Sequence, residues 1–395
     1  MTPFAKLKDN LPWLGAYCWQ RLARSSPRLA GTHVIFCIAD HFEPAIVPSE
    51  GCARADKYEQ EQRLERWCRE IPRALGSWRD AEGRPFYHTY FYPAEQYESD
   101  LVERLADHCR RGWGEIEIHL HHGAMAPDTR EHTEERIMQF RDTLANRHRC
   151  LSQWEGQGPL RYAFVHGNFA LANSKPGWAC GVDDEMQVLA DTGCYADLTM
   201  PSAPGPTQVA KINSLYECGL PLNRRAPHRR GRSLQVGRPP SVFPLMIQGP
   251  LMLDFSSVNR RHLFPHFENS ALTWKYPMTM DRFRLWQRAA VAVEGRPDWL
   301  FIKLHCHGMD PRDEQAMYGS PRQMFLRDLL EESKRLGQYQ VHFTTAREMT
   351  NIILAACDGR EGNPGDYRDY RLKKIEPRDR VNAIPAESGS VAGTR

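Results

Sequence analysis

Three histidines crowd the end of one short stretch, Glu115-Ile116-Glu117-Ile118-His119-Leu120-His121-His122-Gly123. Ile116, Ile118 and Leu120 fall on one face of a strand, and Glu115, Glu117, His119 and His121 on the other. The imidazoles at i and i+2 therefore point the same way, roughly 6–7 Å apart, and one ion between their tips reaches both. Neutral imidazole is a common zinc ligand, so a strand that ends in such a cluster is a place to hold a metal. His122, beside Gly123 where the strand stops, is a further candidate ligand.

An open metal site for hydrolysis needs about three protein ligands and one position free for water. Asp40 or His41, which end the apolar run His33-Val34-Ile35-Phe36-Cys37-Ile38-Ala39, supplies the third ligand from an adjacent strand. The ion would polarise a carbonyl oxygen and lower the pKa of its water toward about 7. Asp40 is the candidate base and His307, across the cavity, the candidate acid. His305 lies two residues earlier on the same strand face and either orients His307 or binds substrate. Cys306, between them, points to the opposite face and is not read as a nucleophile.

Elements of alternating type must bring these groups together. Runs at 33–39, 85–93, 115–120, 161–166, 195–200, 299–305 and 339–343 read as strands. Helical spacing recurs over 57–78, 94–111, 129–147, 183–191, 321–336 and 345–356. Short strands are expected at 242–246 and 251–255. Asp183, Asp184 and Glu185 sit in a helix's first turn, where the dipole favours acids, and are assigned no chemistry. Strands alternating with helices predict an α/β fold with a parallel sheet. About seven such units without an internal linker predict one closed or nearly closed (β/α) barrel over 31–375. Residues 1–30 read as a helical leader, and 376–395, rich in Pro, Ser, Gly and charge, as a disordered tail. In such a barrel Asp40, His41, Tyr92 and the His119–His122 cluster lie on the carboxyl-end rim. His166, Asn168, His305 and His307 end other strands on the same rim, where active sites are built.

Composition narrows the partners. The chain has 395 residues with 52 basic and 49 acidic side chains, a balance that gives no argument for nucleic acid or a membrane surface as main partner. Its 11 cysteines are scattered without a CxxC pair, the pattern of a reduced, cytoplasmic protein. No apolar run is long enough to span a membrane. Residues 11–28 read as a docked amphipathic helix, with peripheral membrane contact as the alternative.

Together these segments resemble a known family. Asp40-His41, Glu115-Ile116-Glu117-Ile118-His119-Leu120-His121 and Ile302-Lys303-Leu304-His305-Cys306-His307-Gly308 are similar to the first, second and last motifs of the polysaccharide deacetylases. These are the NodB-homology enzymes of carbohydrate esterase family four, and the resemblance is greatest to their WbmS-like branch. Thr344-Thr345-Ala346-Arg347-Glu348-Met349, Asn363-Pro364 and Tyr367-Arg368-Asp369-Tyr370 resemble bacterial members of that branch. By motif order the likeness covers about residues 33–370. It implies a distorted, NodB-like (β/α) barrel of about seven strands and one divalent metal, usually zinc, with manganese, cobalt or nickel as alternatives. It also implies an Asp-His-His ligand set and hydrolysis of an N-acetyl group on an amino sugar in surface polysaccharide or glycolipid synthesis. The substrate would be met in the cytoplasm or at the inner membrane face.

The sequence departs from the family pattern in three places. Asp40-His41 stands where the family has two acids: either Asp40 is the base and His41 a ligand, or Asp40 binds and Glu43, or no residue, is the base. The paired histidines are two apart or adjacent, so the ligand is His121 or His122. His166-Gly167-Asn168 stands where the family carries an arginine. Tyr92, His166, Asn168 and Asp254 are the candidate substrate contacts. The alternative functions are hydrolysis of a non-sugar amide or ester, and a non-catalytic metal- or sugar-binding barrel.

Overall fold

The apolar runs become the strands of one large sheet. The computed structural model describes residues 3–24, 30–48, 53–256 and 265–375; the tail expected at 376–395 lies outside them. Eight strands carry the architecture: β1 (Thr32–His41), β2 (His88–Pro93), β3 (Gly114–Leu120), β4 (Leu160–His166), β5 (Cys194–Asp197), β6 (Leu245–Ile247), β7 (Trp299–Cys306) and β8 (Tyr339–Thr344). All pair in parallel, in the order β7-β1-β2-β3-β4-β5-β6. β8 runs beside the first half of β1, from Thr32 to Cys37, and β2 takes up the same edge from Ala39 to His41. Beyond β6 the sheet turns antiparallel through Leu215–Cys218 and Gly231–Ser233. The fold is mixed α/β around a mostly parallel sheet, as the alternation of elements predicts.

Strand alternation sorts the core into two halves. Val34, Phe36 and Ile38 join one apolar cluster, and Ile35, Cys37 and Ala39 the other. The helices that flank the sheet are α1 (Pro3–Ala23), α2 (Lys57–Leu75), α3 (Ser99–Arg110), α4 (Arg130–Asn146), α5 (Glu185–Asp191), α6 (Met280–Ala289), α7 (Ser320–Leu336) and α8 (Ala346–Cys357). α2, α3, α4 and α7 cover the first half, through residues such as Trp67, Leu105, Phe140 and Phe325. α8 and Trp13 of α1 cover the second. Several helices start on side-chain caps: Asp56 accepts from Glu59 N, Thr129 from His132 N, and Thr345 with Glu348 forms a reciprocal capping box. α6 was not expected from the sequence. α1 is docked, with Trp13 buried against Phe267 and Gln20 donating to the Ile212 carbonyl at 2.7 Å. No helix among the described residues is long and apolar enough to cross a membrane.

Buried charge ties distant parts of the sheet together. Arg347, at the start of α8, reaches Glu115 of β3 at 2.9 Å, and Lys374 reaches the same carboxylate at 2.7 Å. Lys303 of β7 donates to the carbonyls of Leu198 and Met200, each at 2.7 Å, just past the end of β5. β7 and β5 are far apart in strand order, and this contact joins their ends directly. Burial pushes the Lys303 ammonium down to about 7, against the pull of Asp197 and Cys37.

Candidate metal centre

Adjacent residues of a strand face opposite ways, and that separates Asp40 from His41. Asp40 follows Ile38 toward the helix-covered side. Its carboxylate accepts from His88 Nδ1 at 2.8 Å and Gly308 N at 2.7 Å, with Cys306 Sγ beside His88 at 4.0 Å. His41 faces the other way. Its ring lies 4.8 Å from His119 and from His307, centroid to centroid, and 6.1 Å from His305. The expectation that Asp40 shares a cavity with these imidazoles is therefore not met. The carboxylate among them belongs to Glu43, two residues beyond the strand.

Glu43 Oε1 is 3.3 Å from His119 Nε2, 3.7 Å from His121 Nε2 and 3.8 Å from His307 Nε2. His41, Glu43 and His119 offer ligand atoms that all lie within 4.8 Å of one another. The remaining ring nitrogens fix the tautomers. His119 Nδ1 meets the Val165 carbonyl at 2.9 Å, and a carbonyl only accepts, so the proton is on Nδ1 and Nε2 carries a lone pair. His121 Nδ1 meets Glu95 Oε1 at 2.7 Å, which fixes a ring proton there. Glu43 Oε1 thus faces the lone pair of the buried His119 Nε2 at 3.3 Å, and a cation between two such acceptors relieves the contact. His41 Nδ1 is also buried without a hydrogen-bond partner.

The electrostatics agree with that need. Burial, followed by the fields of His119, His307, His305 and His121, holds His41 well below its ordinary pKa, so the ring is neutral and able to ligate. Burial and His121 lower His119 in the same direction. Burial opposes charge on Glu43, yet the imidazoles of His119, His121 and His307 around it hold its carboxyl low, at about 2. The donor set is imidazole and carboxylate, with oriented partners behind it, and it fits a divalent metal such as zinc. The identity of the metal is not fixed by these donors.

The pocket has two levels. His41 and His119 are fully buried, whereas His121 and His307 have side chains 25% and 36% exposed. The Phe169 ring lies 5.7 Å from His41 and 6.1 Å from His305 and completes the wall. Its φ of 58° is strained for a bulky side chain, and such residues cluster at functional sites. His305 Nδ1 is buried and unpartnered beside it.

Other expected residues lie elsewhere. His122 turns from Glu43 and meets Glu185 Oε1 at 2.8 Å and Asp128 Oδ2 at 3.2 Å. His166 lies beside His122, ring centroids 4.8 Å apart, rather than at the pocket floor, and its Nδ1 accepts from Asn168 N. Tyr92 is buried on the helix-covered side against Phe140, because it shares a strand face with Tyr90. Asp254 stands on a separate two-stranded ribbon opposite His266, and its carboxylate accepts from Ser256 N. Glu95 and Phe169 were missed from the sequence. Glu95 follows β2 in a single 3-10 turn, and no spacing links it to His121. No family model matches the chain, and no curated protein matches it.

Proposed function

We propose that this chain is a metal-dependent amide hydrolase that removes the N-acetyl group of an amino sugar, on a distorted (β/α) barrel of the NodB kind. The observation that carries the reading is Glu43 Oε1 set 3.3 Å from His119 Nε2, whose ring proton is committed to the Val165 carbonyl, with His41 beside them. The order of the strand-end motifs supports the sugar deacetylase class, and the Lys303 contact from β7 to the end of β5 supports barrel-like curvature.

In this reading His41, His119 and Glu43 hold the metal at the buried level. A divalent ion there supplies Lewis acidity to the acyl oxygen and a water of lowered pKa. His307, the more exposed imidazole, accepts the proton of the attacking water. Burial disfavours charge on His121, but the Glu95 hydrogen bond and the Glu43 field outweigh it and raise its pKa. His121 therefore donates to the nitrogen as the C–N bond breaks, and acetate and a free amine leave. His305 Nδ1 hydrogen-bonds the substrate, and Phe169 packs on the acetyl methyl. Asp40 positions Gly308, and through it the loop that carries His307.

Acetate release from a panel of N-acetylated amino sugars tests the reading. Zinc-loaded enzyme should release acetate from at least one, and His307→Ala should lose about 10²–10⁴-fold in kcat while keeping its zinc. A zinc-loaded protein that releases acetate from none, or a His307→Ala variant with unchanged rate, contradicts it.

A further inference from the structure

A second group of ligating side chains lies behind the first, and the proposed hydrolase does not use it. We infer that His122, His166, Cys180 and Glu185 form a separate zinc-type site that clamps the loop after β4 to the end of β3. Their four ligand atoms lie within 4.8 Å of one another, and all four residues are buried. Three of them have their outer atoms held as metal ligands do. His122 Nδ1 is met by Asp128 Oδ2 at 3.2 Å, which leaves Nε2 facing inward. Glu185 Oε2 accepts from Ala172 N at 2.6 Å, while Oε1 faces the centre, 2.8 Å from His122 Nε2. Cys180 Sγ accepts from Asn173 N at 3.3 Å, a contact that stabilises a thiolate.

His166 supplies the independent sign. Its Nε2 is fully buried, 3.8 Å from Glu185 Oε1, and has no hydrogen-bond partner. With Nδ1 accepting from Asn168 N, the ring proton sits on Nε2 and finds no acceptor within hydrogen-bond distance, beside a carboxylate, an imidazole and a sulfur. Ligation through Nε2 requires the other tautomer, with the 3.2 Å contact to Asn168 N given up.

The loop needs such a clamp. Between β4 and α5 the backbone holds Phe169, Ala172, Asn173 and Ala179 at positive φ. Leu171 and Ala172 pack into the main core, while Ala170, Cys180 and Val182 form a small separate cluster around the site. Four ligands from the end of β3, the end of β4, the loop and the start of α5 cross-link all of these segments. A thiolate with two imidazoles and a carboxylate selects zinc over hard cations. The site stands whether or not the Glu43 centre is catalytic.

Cobalt(II) titration of the full-length, chelator-stripped protein tests it. The Glu43 centre has only nitrogen and oxygen donors, so the part of a thiolate-to-cobalt charge-transfer band that Cys180→Ser removes reports the second site. Wild type should bind two equivalents and show the band. Cys180→Ser should lose the band and one equivalent, and His119→Ala should keep the band and lose the other. X-ray absorption of zinc-loaded wild type, which needs no substitution to fold, should show sulfur at about 2.3 Å. Absence of the band and of sulfur scattering overturns the site and leaves a proton shared by His122 and Glu185. A band that survives Cys180→Ser overturns it as well. A His119→Ala protein that still binds two equivalents contradicts the Glu43 centre instead.

Discussion

Glu95 is the residue on which the chemistry of the rim depends, although it does not touch the proposed metal ligands. Its carboxylate fixes the proton of His121 on Nδ1 and favours the charged ring. Glu95→Gln keeps the size of the side chain and removes the charge. It should cut kcat about 10–100-fold, the usual cost of losing a group that orients a site histidine. It should also move the alkaline limb of the kcat profile to lower pH, because the imidazolium loses its counter-charge; a profile unchanged in position removes Glu95 from this role. At this scale the sequence was partly legible. Adjacent positions on a strand cannot share a face, so Asp40-His41 already meant that only one of them reaches the cavity. The same parity applies to Tyr92. Glu43 was visible only as an alternative base, since Phe42-Glu43-Pro44 is irregular backbone where no period tells which way a side chain turns. Glu185 was read as a helix-start acid, and its inward turn toward His122 depends on a loop that sequence patterns do not describe.

At the scale of elements, strands and long helices were legible because burial of a parallel sheet on both faces demands apolar runs. The boundaries moved by a few residues: β3 stops at Leu120, so His121 leaves the regular strand yet still faces Glu43. α6 escaped notice because its buried positions, Phe283, Trp286 and Ala289, are interleaved with Arg282, Arg284 and Arg288 in a ten-residue helix of only about three turns. The packing of α8 is decided by charge as well as by its apolar face. Arg347 is buried and anchors the helix start to Glu115 of β3. Removing Arg347 leaves the buried Glu115 carboxylate with Lys374 as its remaining cation, so the cost stays below the ~3–5 kcal/mol of a fully stranded charge. Arg347→Met should lower the urea midpoint accordingly, and adding Glu115→Gln should recover part of the loss. A single variant as stable as wild type would show that α8 is held by its apolar contacts alone.

For the whole molecule, the sheet and helices form a scaffold whose acid sensitivity follows from groups far from the pocket. Burial opposes charge on Glu82, but hydrogen bonds from His342, Asn363 and Arg368 overcome it and hold the carboxyl at about 2, below its ordinary 4.5. Unfolded chains bind that proton more readily, so this stability is present above about 4.5 and is lost as pH falls toward 2. His108 and His228 are depressed from 6.5 to about 3 by burial, and both must charge on unfolding in acid. Their contribution is intact above 6.5 and falls away toward 3. These groups lower the melting temperature as pH falls, while Glu117 and Asp197, whose carboxyls burial raises to about 8 and about 7, act in the opposite direction. Glu82→Gln should flatten the decline below 4.5 and His108→Gln the part between 6.5 and 3; variants that keep the wild-type profile would contradict these assignments.

The central claim is that the carboxylate of Glu43 and the imidazoles around it grip a divalent ion. Anomalous diffraction at the zinc edge from zinc-loaded crystals tests it most directly. The account predicts a peak at about 2.0–2.2 Å from Glu43 and from the nitrogens of His41 and His119. Zinc-loaded crystals with no peak among these three side chains, and Glu43 turned away from His119, would contradict it.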